Sequence, residues 1–209
     1  MVRDGMGDPP MRPHRPVPHA DLTALIDAAG GAEDGSRSEL AAATAAVVVR
    51  AGRTDADGDR FVALADRVGI DTLAALWREA DPVSLAGALW ALYLLRQWCQ
   101  TNGEEVTRLW RAGQPYASAD AVVAGVPEFA DVDAVRRIAD AVLTGAYRSD
   151  LGVALERAAA LFRVLATGRR QLAQPDDAGD RELERAQRND RVAADLTAAA
   201  AKWRAGTLH

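Results

Sequence analysis

Histidine is almost missing from this chain of 209 residues: His14 and His19 stand near one end and His209 at the other. The stretch between them therefore lacks the usual general base at neutral pH and the usual zinc ligand. Cysteine occurs once, as Cys99, which excludes an intramolecular disulfide and a cysteine-built metal site and points to a reducing cytoplasm. Lysine also occurs once, as Lys202, with arginine supplying every other basic residue, a bias typical of a GC-rich genome. Aromatic residues make up only 5% of the chain against 49% hydrophobic, much of it alanine, which favours closely packed helices over a sheet sandwich. The longest apolar run, Val83 to Leu95, would span about 20 Å as a helix, short of the roughly 30 Å of hydrocarbon a membrane span must cross. Basic residues form no block, and the net charge is -5, so the basic face that phosphate recognition requires is absent. Neither a nucleophile elbow nor a glycine-rich phosphate loop occurs.

What is present is helical punctuation. Residues 1–18 hold five of the 9 prolines and no apolar run, and read as a disordered proline-rich tail and not a secretory signal. Residues 19–168 are predicted to form an all-α, antiparallel helical bundle around a buried central helix. Asp21 to Ala29 is apolar-periodic and stops at Gly30 and Gly31; Ser36 and Glu39 have capping-box spacing ahead of an alanine-rich helix expected to end at Gly52. Two short helices, Asp57 to Val68 and Asp71 to Ala80, flank Gly69. Asp81 is expected to cap, and Pro82 to open, the central helix that runs to Asn102.

That helix carries two apolar stripes. Leu85, Leu89, Leu92, Leu95 or Arg96, and Cys99 make one; Trp90, Leu94 and Trp98 make the other. Two stripes predict neighbours on more than one side, with burial fading towards Trp98 and Cys99. Thr101 and Glu104 have capping-box spacing for a helix to Ala112, and residues 113–130, with Pro115, Gly125 and Pro127, suggest an internal boundary holding one turn at Ala119 to Val123. Asp131 caps a helix expected to end at Gly145. Ser149 or Asp150 starts another in which Leu151, Leu155, Ala158, Phe162 and Leu165 form the seam of an antiparallel hairpin. A linker at 169–179 leads to a charged amphipathic helix over 180–205, with Val192, Leu196, Ala199 and Trp203 on one side and Glu184 and Arg188 paired at i,i+4.

Few residues suggest chemistry. Asp55, Asp57, Asp59 and Asp66 resemble the calcium loop of EF-hand proteins, in which carboxylates at alternate positions converge on a hard cation. Arg60 stands where that family has its turning glycine, and Asp66 where it has a two-oxygen glutamate, so the match is degenerate; helix capping by Asp57 or Asp59 is the competing reading. Glu104 and Glu105 project about 100° apart on a helix and suit the dipole of its first turn. Glu156 beside Arg157 would gain an acid-base pKa only if buried. Cys99 on an apolar face reads as a core residue. Leu76-Trp77-Arg78 recurs as Leu109-Trp110-Arg111, but no third copy makes an array. Arg136-Arg137 and Arg169-Arg170 are too few for a phosphate track. The indoles of Trp77, Trp90, Trp98 and Trp110 fill helix gaps, line a ligand pocket or anchor an interface.

The residues Gly87-Ala-Leu89-Trp90-Ala-Leu92-Tyr93-Leu94-Leu95-Arg96-Gln97-Trp98, Ala124-Gly125-Val126, Ile138-Ala-Asp140-Ala-Val142-Leu143 and Ala154-Leu155-Glu156-Arg157-Ala158 together resemble a group of uncharacterised actinobacterial all-helical proteins. Some of that group carry a label of RNA polymerase β subunit, which these residues do not support. The resemblance covers under half of the chain and implies origin and fold class, with no activity to carry over.

The expectation is thus a cytoplasmic, non-enzymatic helical protein of the interaction, scaffold or adaptor kind, with a protein partner or a second copy of itself as ligand and with nucleic acid and membrane disfavoured. No catalytic residue and no cofactor is predicted. Trp98, Trp110 and Trp203 are the candidate interaction residues, Trp98 and Trp110 being expected to be partly exposed. The alternative is a small-molecule or calcium-binding helical module; an enzyme working through carboxylates would need Glu105 or Glu156 buried beside a pocket.

Overall fold

A computed structural model describes residues 34–54, 69–125, 131–148 and 150–209. The Asp55 to Asp66 loop, the proline-rich tail and the segments Asp21 to Ala29 and Asp57 to Val68 lie outside these residues. Among the described residues the secondary structure is helical throughout: α1 (Asp34–Thr54), α2 (Ile70–Trp77), α3 (Leu85–Thr101), α4 (Gly103–Gly113), a 3-10 turn (Gln114–Tyr116), α5 (Ser118–Ala124), α6 (Val132–Arg148), α7 (Leu151–Leu172) and α8 (Asp177–Arg204). The all-α bundle follows from the alternation of apolar periods with caps and glycines.

Four helix starts are set by single side chains. Asp131 accepts from the Ala134 amide at 2.7 Å, Asp150 from Gly152 at 2.8 Å and Asp176 from Gly179 at 2.8 Å, each satisfying an amide that a helix start leaves open. The start of α3 differs from expectation. Asp81 accepts from the Val83 amide at 2.7 Å and its carbonyl accepts from Ser84, so residues 81–84 close a turn and Ser84, accepting from Gly87, is the true cap. Gly87 permits this, because a Cβ there would overlap the Asp81 carbonyl.

The Thr101 capping box does not form either. The Thr101 hydroxyl donates back to the Gln97 carbonyl, since α3 continues to Thr101 and α4 begins two residues later. Helix α1 runs through Gly52 and α6 through Gly145; a lone glycine costs a helix interior about 1 kcal/mol, which other contacts outweigh. The expected linker at 169–179 shrinks to 173–176, and the expected boundary near 113–130 holds the 3-10 turn and α5, which both pack on α7.

Two helices organise the bundle. Helix α3 touches α1, α2, α4, α6, α7 and α8, but α7 is the more deeply enclosed, most of its residues between Leu151 and Arg169 being buried against α4, α5, α6 and α8. The residues foreseen as the α7 seam, Leu151, Leu155, Ala158, Phe162 and Leu165, are all buried, but α7 packs more extensively on α8 and α4 than on α6, the expected hairpin partner. Each buried leucine there is worth about 1.5–3 kcal/mol over its exposed state. Helix α8 returns antiparallel along α7, as contacts from Arg169 to Glu182 at one end and from Glu156 to Arg204 at the other require. It ends in a Schellman motif, Gly206 at φ 69° with Thr207 donating to Lys202 and Gly206 to Trp203, which folds residues 207–209 back so that Leu85 donates to the His209 oxygen at 2.9 Å.

Candidate functional site: an apolar cleft between α3 and α8

The first stripe of α3 is buried from Leu85 to Cys99, whereas the second is left uncovered. Trp90 and Trp98 are half-buried and Leu94 is exposed, because α8 crosses beside them without closing over them. The result is a cleft of about 410 Å³. Trp90, Ala91, Leu94, Leu95 and Trp98 form one wall, Val192, Asp195 and Leu196 the other, and Phe162 of α7 contributes from below. Arg78, Ala80 and Pro82 stand at one end beside Gly87, where the 81–84 turn folds against α3. This volume falls within the range of small-molecule sites, which are apolar with a few polar groups.

Arg78 and Asp195 are the charged lining residues. Arg78 points outward to Glu79 at 3.1 Å, both side chains well exposed. Asp195 is half-buried and makes no hydrogen bond or ion pair among the described residues. Burial pushes its carboxyl pKa up, repulsion from Asp81 adds to this, and Arg191 opposes it.

Behind the cleft, Arg169 is buried and spans three helices. It donates to Glu182 of α8 at 2.5 Å and to Glu105 of α4 at 3.2 Å, and its guanidinium lies 5.3 Å from the Trp98 ring centroid. Burial works to raise the Glu182 carboxyl, but hydrogen bonds from Arg169 and Arg185 outweigh it and hold the pKa below the ordinary value. A second buried cation, Arg96, donates to Asp140 of α6 at 2.7 Å.

The candidate interaction residues are thereby separated. Trp98 lines the cleft. Trp110 is fully buried, contrary to its expected partial exposure, because α4 packs face-on against α7. Trp203 is half-buried over Gly152, its ring 3.3 Å from where a Cβ would stand. Burial does not fade at Cys99 as expected: it is enclosed, and desolvation, with Asp140 nearby, pushes its thiol up to about 12. It is a core residue with almost no thiolate at neutral pH.

The carboxylates do not assemble a catalytic pair. Glu105 is held by Arg169, and Glu156 sits at the surface where a hydrogen bond from Arg204, 2.6 Å away, lowers its pKa in spite of some desolvation. Among the described residues no group of three His, Cys, Asp or Glu side chains is placed to hold a metal ion, and no helix is long and apolar enough to cross a membrane. The candidate calcium ligands Asp55, Asp57, Asp59 and Asp66 lie outside the described residues.

Leu94 and Asp195 were not singled out as site residues by the sequence, and Trp90 was named only as one of four indoles that could line a pocket. The second stripe of α3 was the available signal, since a stripe with no obvious covering helix is a groove in waiting. Nothing in the sequence announced the Arg169 network, whose acids lie 64 and 13 residues away. No family model, curated protein or solved structure matches the chain.

Proposed function

We propose that the protein is a non-enzymatic helical binding module whose ligand site is the cleft between α3 and α8, taking a small, largely apolar molecule. The observation that carries this is the cleft itself: about 410 Å³, walled by Trp90, Leu94 and Trp98, with Asp195 as a polar group within it. Half-buried indoles and an exposed leucine on a concave surface gain by displacing water, at about 25 cal/mol per Å² of apolar area covered. The scaffold reading drew on Trp110 and on the apolar stripe of α8; the first lies in the core, and Leu196 and Ala199 of the second are buried within the chain. Those residues now lend their weight to stability, and Trp98 lends its weight to the cleft.

The test is titration with phenylbutanol, followed by calorimetry and tryptophan fluorescence, against the chain and against Ala91→Phe, which fills the cleft from α3. Saturable binding that Ala91→Phe weakens at least about tenfold, a loss of 1.4 kcal/mol, supports the reading. No saturable binding to the parent chain, or equal binding to the filled variant, overturns it.

A further inference from the structure

Resting on the cleft reading, we infer that the ligand class is an apolar amine, with its body between Trp90 and Trp98 and its ammonium group on Asp195. Asp195 is a carboxylate set into an apolar wall with no hydrogen bond or ion pair among the described residues. A ligand without a donor would strip water from this carboxylate and return nothing, and a hydroxyl would return only one uncharged donor, whereas an ammonium group replaces the lost hydration with hydrogen bonds that also carry the opposite charge. The Trp90 indole adds to the preference, because its quadrupole attracts a cation and repels an anion, while the Trp98 ring already faces Arg169, whose charge is met by Glu105 and Glu182.

The charged surroundings agree. Asp81, in the turn at the end of the cleft, acts on Asp195 as a second negative charge, and Arg191, on the same helix, opposes it from an exposed position. Arg78, at the end of α2, is engaged by Glu79. From α3 and α7 the cleft receives only uncharged side chains. An anionic ligand would meet Asp195 and Asp81 together, so the three charge types of one skeleton should be ranked.

The experiment uses phenylbutylamine, phenylbutanol and phenylbutyrate with the full chain and with Asp195→Asn. The amine should bind about fivefold more tightly than the alcohol, as expected of an ion pair worth about 1 kcal/mol at a half-exposed site, and the carboxylate should bind most weakly. Asp195→Asn should remove the amine's advantage over the alcohol, and saturable binding of the alcohol to the variant shows that it is folded. In the unaltered chain the advantage should shrink as the pH falls through the carboxylate range, a readout that needs no variant. Equal affinity for amine and alcohol, tightest binding of the carboxylate, or an advantage that survives Asp195→Asn overturns the amine assignment and leaves the cleft reading standing. Failure of all three to bind overturns both.

Discussion

The guanidinium of Arg169 lies over the indole of Trp98, so that one cation both links α4, α7 and α8 through Glu105 and Glu182 and backs a ring of the cleft wall. Replacing it strands charge. Arg169→Ala removes a buried cation from two partly exposed carboxylates, and the expected loss is about 2–4 kcal/mol, below the full cost of a wholly buried pair because water reaches both acids. Arg169→Lys should recover only part of this, since a single ammonium on a flexible stem cannot reproduce the planar fork. Urea unfolding of the three proteins checks both. The wavelength of tryptophan emission checks whether Trp98 loosens.

Gly113 and Gly168 face each other across α4 and α7. A Cβ at Gly168 would overlap the Leu109 carbonyl, and one at Gly113 the Val164 carbonyl. In an isolated helix, glycine to alanine stabilises by about 1 kcal/mol; here the backbones touch, so each substitution must push the helices apart. Gly113→Ala and Gly168→Ala should each destabilise by about 2 kcal/mol or more, and thermal unfolding gives the sign directly. A stabilised variant would mean that the two helices are not in this contact.

Much of the bundle was legible because its signals are local. The cap Asp131 and the buried face of α7 depend on residues a turn or two apart and stand as read, and of Ser149 and Asp150 it is Asp150 that caps α7. The α3 start was misplaced because Asp81 and Ser84 are both good caps and only the fold of the 81–84 turn onto Gly87 decides between them. Trp110 and Cys99 were expected nearer the surface because the polar residues that begin at Arg96 and the nearby Gly113 loop were read as exposure, whereas α4 packs on α7 over Trp110 and α3 packs on α6. Asp195 was invisible for a different reason: a carboxylate beside an apolar stripe looks like an ordinary solvated edge until the opposite wall is known.

Tyr93 and Tyr147 share a buried hydrogen bond, 2.9 Å between hydroxyls, linking α3 to α6. Burial, reinforced by the charge of and hydrogen bond to Tyr93, raises the Tyr147 phenol well above its ordinary value of 10.0. The folded form therefore resists ionisation that the unfolded chain allows. This contribution is fully present below pH 10 and is lost as the pH rises beyond it, so alkaline unfolding and exposure of phenolate absorbance should coincide. Tyr147→Phe should cost about 1 kcal/mol by removing the buried hydrogen bond between the two hydroxyls. Replacing both should cost less than the sum, which a double-mutant cycle measures.

Asp195 supplies the opposite case, a residue that works against stability where the cleft needs it. Its pKa is raised by burial first and by Asp81 second, so the folded chain holds the proton more tightly than the unfolded one. The favourable contribution is complete below the unfolded value of 3.8 and is lost as the pH rises through the higher folded value. Asp195→Asn should accordingly gain a fraction of a kcal/mol at neutral pH, a modest effect because the group is half-exposed, and the gain should vanish in acid. Comparing variant with parent at each pH cancels the acid loss of the Glu156 and Arg204 pair, which both proteins share. A constant difference across the pH range would show that Asp195 titrates as it does in the unfolded chain, and the carboxylate would then lack the desolvation that gives a bound cation its advantage.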